Sequence, residues 1–206
     1  MDDIVKAALI KWPDVPHCYG WLALDARGQW RMRDARCQAL GLAGEVIRHP
    51  ALIGFINRNY LHDANGCWYF QNGPQRVYVE LESAPYIART TPAGLMLHTG
   101  LAFDQPEVAF LNPSGELFFA KGEVLAQLDD RDLAELLPNF YVGNTPVSDE
   151  RFIAYLSQSS IQDPLVLRLT PTAAKAITVQ IADTASLMSR YGYCQQPAQD
   201  QPPHSV

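Results

Sequence analysis

Leu24-Asp25-Ala26-Arg27-Gly28-Gln29-Trp30 is the phrase on which the reading of this chain turns. It returns as His62-Asp63-Ala64-Asn65-Gly66-Cys67-Trp68 and again as Leu111-Asn112-Pro113-Ser114-Gly115-Glu116-Leu117. Each copy reads Asp or Asn, two residues, Gly, one residue, then a large apolar side chain. The Asp or Asn side chain bonds backbone ahead of it, and Gly accepts the positive φ that closes the turn. Apolar runs on both sides make each phrase the tip of a β-hairpin.

Working outward, apolar spacing places a helix before the first hairpin and one after each of the outer two. Residues 2–12 carry Ile4, Val5, Ala8, Leu9 and Trp12 at helical spacing, and Pro13 and Pro16 stop the run. Pro50 suits a first helical position, and Leu52, Phe55, Ile56 and Tyr60 line one face of a helix over 50–60. The acidic run Asp129-Asp130-Arg131-Asp132 starts a helix over 130–137 that Pro138 ends, and Ser148 caps another over 149–158. Arg33 to Gly44 reads as a loop with at most a helical turn. Val77, Val79 and Leu81 alternate with Arg76, Tyr78, Glu80 and Glu82, the cleanest strand in the sequence. Further strands are expected at 86–89, 95–98, 108–111, 117–120 and 165–169, whereas 172–190 shows no decisive period. The hairpins recur at unequal intervals, which excludes a regular solenoid.

The expected fold is therefore α+β: repeated β-hairpin-plus-helix units, mainly antiparallel sheets packed with short helices. The expected domains are 1–100 and 101–194, which one continuous unit would also accommodate. The polar, proline-rich tail 195–206 is expected to be disordered and to contribute nothing to stability.

Bulk properties narrow the function classes. Of 206 residues, 48% are hydrophobic and the net charge is −6, so neither nucleic acid nor an anionic membrane is attracted on average. No apolar run is long enough for a membrane helix. Met1-Asp2-Asp3 is acidic where an export signal needs positive charge. Cys18, Cys37, Cys67 and Cys194 are scattered and form no Cys-x-x-Cys pair, which reads as reduced thiols in the cytoplasm.

Catalytic and cofactor signatures are missing. The sequence has no Gly-x-Ser-x-Gly, no phosphate-binding glycine loop and no His-Glu-x-x-His. His17, His49, His62 and His98 stand apart, away from the i, i+4 spacing of a helical metal pair. No catalytic residue, metal or cofactor is expected. The densest polar cluster holds the candidate ligand-binding residues Arg58, Asn72, Gln75 and Arg76: two planar guanidinium forks for a carboxylate or phosphate, and two directional amides. Turn chemistry and pairing with Glu80 or Glu82 account for the same residues without any ligand.

The stretch from Gly28-Gln29-Trp30 through Ile47-Arg48-His49, Leu52-Ile53, Phe55 and Asp63–Trp68 to Val77-Tyr78-Val79-Glu80-Leu81 and Ala84-Pro85-Tyr86-Ile87 resembles an uncharacterised proteobacterial domain-of-unknown-function family. Its members share a Gly-x-Trp, a short apolar helix, an Asp-x-x-Gly turn and a Val-Glu strand end running into Ala-Pro-aromatic. The resemblance implies an α+β fold with repeated helix-and-hairpin units, a bacterial cytosolic setting and no established activity. After Ile87 the sequence departs from the pattern.

Two functional readings remain. The first is a non-enzymatic cytosolic ligand-sensing or protein-interaction module for signalling, partnered by a small anionic ligand or a protein. The alternative is a small hydrolase or isomerase acting on an anionic metabolite through Arg58 and Arg76, with His49 or His62 as base. A homo-oligomeric scaffold built on exposed strand edges is a further option.

Overall fold

The computed structural model describes residues 1–157, 163–170 and 175–199. The chain is α+β and packs as two compact units. Unit 1 comprises residues 1–85 and the returning chain from Gly192; unit 2 is Tyr86–Tyr191. The division falls at Pro85 rather than near residue 100, because the chain leaves unit 1 after the strand ending in Leu81 and comes back to it near its end.

Unit 1 contains α1 (Asp3–Lys11), β1 (Cys18–Leu24), β2 (Trp30–Met32), α2 (Ala35–Ala39), β3 (Glu45–Val46), α3 (Pro50–Arg58), β4 (Tyr60–His62), β5 (Trp68–Asn72) and β6 (Gln75–Leu81). Its sheet runs β3-β2-β1-β6-β5-β4. Two antiparallel groups, each turning on one of the Asp-x-x-Gly phrases, meet through the parallel pair β1 and β6. Gly28 and Gly66 carry the positive φ their turns require, 75° and 71°. Leu24, Trp30, Ile56 and Val79 are buried at the centre. Trp30 packs edge-on to Tyr60 at 5.1 Å and donates its indole N–H to Asn57 at 2.7 Å, which fixes α3 against the sheet.

His49 caps α3 by accepting from the Leu52 N–H, and Pro50 occupies the first turn as its fixed φ favours. The helix stops at Arg58, so Tyr60, expected at its end, begins β4 instead. Within the expected loop 33–44, Asp34 accepts from the Cys37 N–H and caps the short α2.

Unit 2 contains β7 (Tyr86–Thr91), β8 (Gly94–Leu97), β9 (Val108–Leu111), β10 (Leu117–Lys121), β11 (Val124–Leu128), α4 (Leu133–Leu136), β12 (Phe140–Val142), β13 (Thr145–Pro146), α5 (Asp149–Leu156), β14 (Leu165–Leu167), β15 (Ile177–Ile181) and α6 (Thr184–Tyr191). Nine strands run β13-β12-β14-β15-β9-β10-β11-β7-β8, with parallel pairings at β15–β9 and β11–β7. Residues expected as one helix over 130–137 form two 3-10 turns flanking the four-residue α4. Asp129 caps the first turn, and buried Asp132 holds β7 by accepting both arms of the Arg89 fork (2.9 and 3.1 Å) and the Thr90 N–H (2.8 Å). The acidic run thus starts a 3-10 turn where a helix was expected, and ties that turn to the sheet. The indecisive region 172–190 holds β15 and α6; the expected helix end at Gln158 lies outside the described residues.

The returning chain departs from the expected disordered tail. Cys194 forms a parallel bridge with Cys67 and donates its N–H to the Gly66 carbonyl at 3.1 Å. The Gln195 carbonyl accepts from the Leu81 N–H at 2.8 Å, and its side-chain amide donates to the Ser83 carbonyl at 2.9 Å. These bonds satisfy backbone groups of unit 1 that would otherwise need water. Residues 200–206 lie outside the described residues.

Candidate functional site

Strand alternation divides unit 1's sheet into two chemically different faces. On the face covered by α3, β1 is irregular. Cys18 pairs with Val77 and Leu22 with Val79, so β1 spends two more residues than β6 over the same length, with Gly20 at φ +78°. This bulge lets Cys18, Trp21 and Leu22 all border one pocket, where strict alternation would send Trp21 and Leu22 to opposite faces. Met32, Ile47, Leu52, Ile56, Phe70, Asn72 and Val77 complete the lining around a volume of about 300 Å³. Apart from the Cys18 thiol and Asn72, the lining side chains are hydrocarbon, thioether or aromatic. Trp21, Met32 and Leu52 keep 46%, 48% and 36% of their surface exposed. Concave, mostly apolar sites with few polar groups are where small molecules bind.

The opposite face carries a titratable cluster. Tyr19 stacks on Tyr78 at 4.6 Å with the rings 5° from parallel, and Tyr69 meets Tyr78 edge-on at 5.6 Å. The Arg76 guanidinium lies 4.6 Å from the Tyr69 ring centre. Tyr78 donates its hydroxyl to Asp63 Oδ2 at 2.9 Å, while Asp63 Oδ1 accepts the N–H groups of Asn65 and Cys67 and so shapes the turn. Burial pushes the Tyr78 hydroxyl up to about 12, with Asp63 adding to the rise and Arg76 opposing it. Burial also pushes the Cys67 thiol up to about 12, aided by its neighbour Cys194. Beside Tyr78, His17 is lowered, first by burial and then by Arg76. A general acid or base works best with a pKa near the working pH. This cluster moves its phenol and thiol the other way, toward the neutral form at neutral pH.

The four sequence-derived candidates do not converge. Asn72 and Gln75 are registered partners that close the β5–β6 hairpin, with Arg76 opposite Gln71 at the next pair. Alternation then sends Arg76 to the tyrosine face and Asn72 to the pocket face. Gln75 donates its amide to the Pro16 carbonyl at 2.9 Å. Arg58, at the end of α3, forms an exposed ion pair with Asp2 at 3.2 Å. Of the two candidate bases, His49 is occupied in capping α3, and His62 lies against the Asp63 carbonyl and beside Trp68. The pocket itself escaped sequence reading, since a bulge and three distant segments build it. Gly20 between two large aromatics was the one local signal.

A family model described as a protein of unknown function (DUF2946), labelled DUF2944, matches residues 1–198. The chain belongs to this family of unknown function, which agrees with the kind of family its Gly-x-Trp and Ala-Pro-aromatic segments resemble. No curated protein matches the chain. Among solved structures it is similar to a DUF1285 family protein from Silicibacter pomeroyi, at 12% identity and a TM-score of 0.43, over 70% of this chain and 87% of that one. Among the described residues no helix is long and apolar enough to cross a membrane.

Proposed function

We propose that this protein is a non-enzymatic ligand-sensing module whose ligand occupies the unit 1 pocket, with an apolar body of medium length and one hydrogen-bonding end directed at Asn72. The observation that carries this reading is the pocket: about 300 Å³, almost wholly apolar, and rimmed by half-exposed Trp21, Met32 and Leu52. Full burial of such a side chain is worth roughly 1.5–3 kcal/mol, so covering the exposed half of each recovers about 1 kcal/mol per side chain. An anionic ligand held by Arg58 and Arg76 is supported less well, since Asp2 already faces one fork and the tyrosines the other.

The test is a thermal-shift series with hexanamide, octanamide and octanoate as probes. Stabilisation should grow from hexanamide to octanamide and reach about 2.7 kcal/mol at a hundred times the dissociation constant. Leu52→Gln or Met32→Lys should weaken it at least tenfold, and Asn72→Ala should erase the preference for the amide. An unresponsive protein, or a response untouched by the rim substitutions, refutes the pocket. A response to octanoate alone that Arg58→Gln with Arg76→Gln abolishes moves the site to those arginines.

A further inference from the structure

Two of the four cysteines lie directly opposite each other, although more than half the chain separates them in sequence. Cys67 follows Gly66 at the β4–β5 turn, and Cys194 sits on the returning chain in parallel register with it. Cys194 is near enough to add to the rise of the Cys67 thiol, and only 5% and 4% of the two residues' surfaces are exposed. Neighbouring strands are spaced by ~4.8 Å, within the range of roughly 4.4–6.8 Å between Cα atoms that a disulfide spans. Close approach is enforced locally, because a Cβ on Gly66 would lie 1.7 Å from the Gly192 carbonyl oxygen. Turn and returning chain therefore touch backbone to backbone, with the two sulfurs next in line.

We propose that Cys67 and Cys194 are a reversible redox latch, a disulfide site that fastens the C-terminal chain to the β4–β5 turn of unit 1 and closes a covalent ring containing all of unit 2. The oxidant is a low-molecular-weight disulfide. Cys194 sits on a segment held to unit 1 by a short set of hydrogen bonds, so local opening of that segment brings it to the oxidant. Having lost its proton, it attacks the external sulfur–sulfur bond, one small thiolate departs, and a mixed disulfide forms on Cys194. With the segment lifted, Cys67 is uncovered and gives its thiol proton to water; the thiolate attacks Cys194 Sγ and expels the second thiolate, after which the segment docks again. Two protein thiols are oxidised, one external disulfide is reduced to two thiols, and the two protons released pass to those products. Burial, which holds Cys67 as a neutral thiol, keeps it from initiating the exchange and leaves it the resolving role. Reduction removes the covalent tie and leaves the segment on non-covalent ones, among them the hydrogen bonds to Gly66, Leu81, Glu82 and Ser83.

The test treats the full chain with oxidised glutathione, with Cys18→Ser and Cys37→Ser in the background to silence the more exposed thiols. The expected product has lost the mass of two hydrogens, yields a Cys67–Cys194 cross-linked peptide, melts at a higher temperature and reverts with dithiothreitol. Cys67→Ser and Cys194→Ser, each first shown to melt cooperatively, should carry a stable glutathione adduct or none and should not melt higher on oxidation. The proposal is overturned by glutathione on both cysteines without a cross-link, by untouched Cys67 and Cys194 thiols at an oxidised glutathione poise, or by a cross-link that leaves the melting temperature unchanged.

Discussion

Gly66→Ala tests how unit 1 holds its returning chain, and Gly73→Ala is the internal comparison. Both glycines sit at positive φ, 71° and 57°, where alanine loses roughly 1–2 kcal/mol to the clash of Cβ with its own backbone. At Gly73 nothing else is lost, since the nearest atom to an added Cβ is the Ala8 methyl at 3.9 Å. At Gly66 the new methyl would lie 1.7 Å from the Gly192 oxygen and 2.7 Å from its carbon, far inside the 3.0 Å that real Cβ atoms keep. Backbone cannot swing aside as a side chain can, so the returning chain must lift. Lifting it breaks several hydrogen bonds, among them those from Cys194 to Gly66, Leu81 to Gln195 and Gln195 to Ser83, at about 1 kcal/mol each. Gly66→Ala should therefore cost about 4–5 kcal/mol against about 1–2 for Gly73→Ala. All four tryptophans, Trp12, Trp21, Trp30 and Trp68, belong to unit 1, so urea unfolding followed by tryptophan fluorescence reads this unit. A thiol reagent should also reach Cys194 faster in Gly66→Ala. Equal urea midpoints for the two variants would refute the reasoning.

Truncation after Tyr193 removes Cys194 and Gln195 and should lower the melting temperature by several degrees, while truncation after Gln199 should not; identical melts for the two would show that the docked segment contributes nothing. The raised Cys67 and Tyr78 values make a prediction at alkaline pH. A group whose folded pKa lies above its unfolded one stabilises fully below the unfolded value and loses that contribution as pH rises through the folded value. Unit 1 should thus weaken from about pH 9 toward 12, and Tyr78→Phe should flatten the upper part of that fall in urea midpoints. Asp132 behaves oppositely. Burial raises its pKa, but Arg89 and the Thr90 N–H outweigh burial and hold it below the usual carboxylate value. Its contribution is present at neutral pH and lost as pH falls through the folded pKa, so Asp132→Asn should cost roughly 1–3 kcal/mol at pH 7 and little in strong acid. A penalty independent of pH in circular-dichroism melts would sink that assignment.

Legibility followed the range of the interactions involved. The hairpin turns were readable because Asp63 and its counterparts bond backbone only a few residues away, and the α3 start because Pro50 acts within one turn. β11 was missed because Leu125 through Leu128 are all buried, which removes the alternation by which a strand is recognised. β12 and β13 were missed as strands of only three and two residues. The candidate corner Arg58, Asn72, Gln75 and Arg76 was assembled by proximity in sequence. Consecutive strand residues point to opposite faces, so sequence neighbours need not share a site.

Local chemistry alone therefore determined the α+β character, the three Gly turns at 28, 66 and 115, the Ser148 cap of α5 and the lack of catalytic signatures. Tertiary structure decided what lies far apart in the chain. It set the parallel pairing of β1 with β6 and the return of the chain at Gly192 to complete unit 1. It also brought Cys67 to Cys194, and shaped the pocket that the β1 bulge opens between Trp21, Leu52 and Phe70. The physical reason is reach. A turn or cap is complete within about four residues, and its partners can be read in order. Burial and strand pairing choose partners by the free energy of the whole packed chain, which no local spacing records.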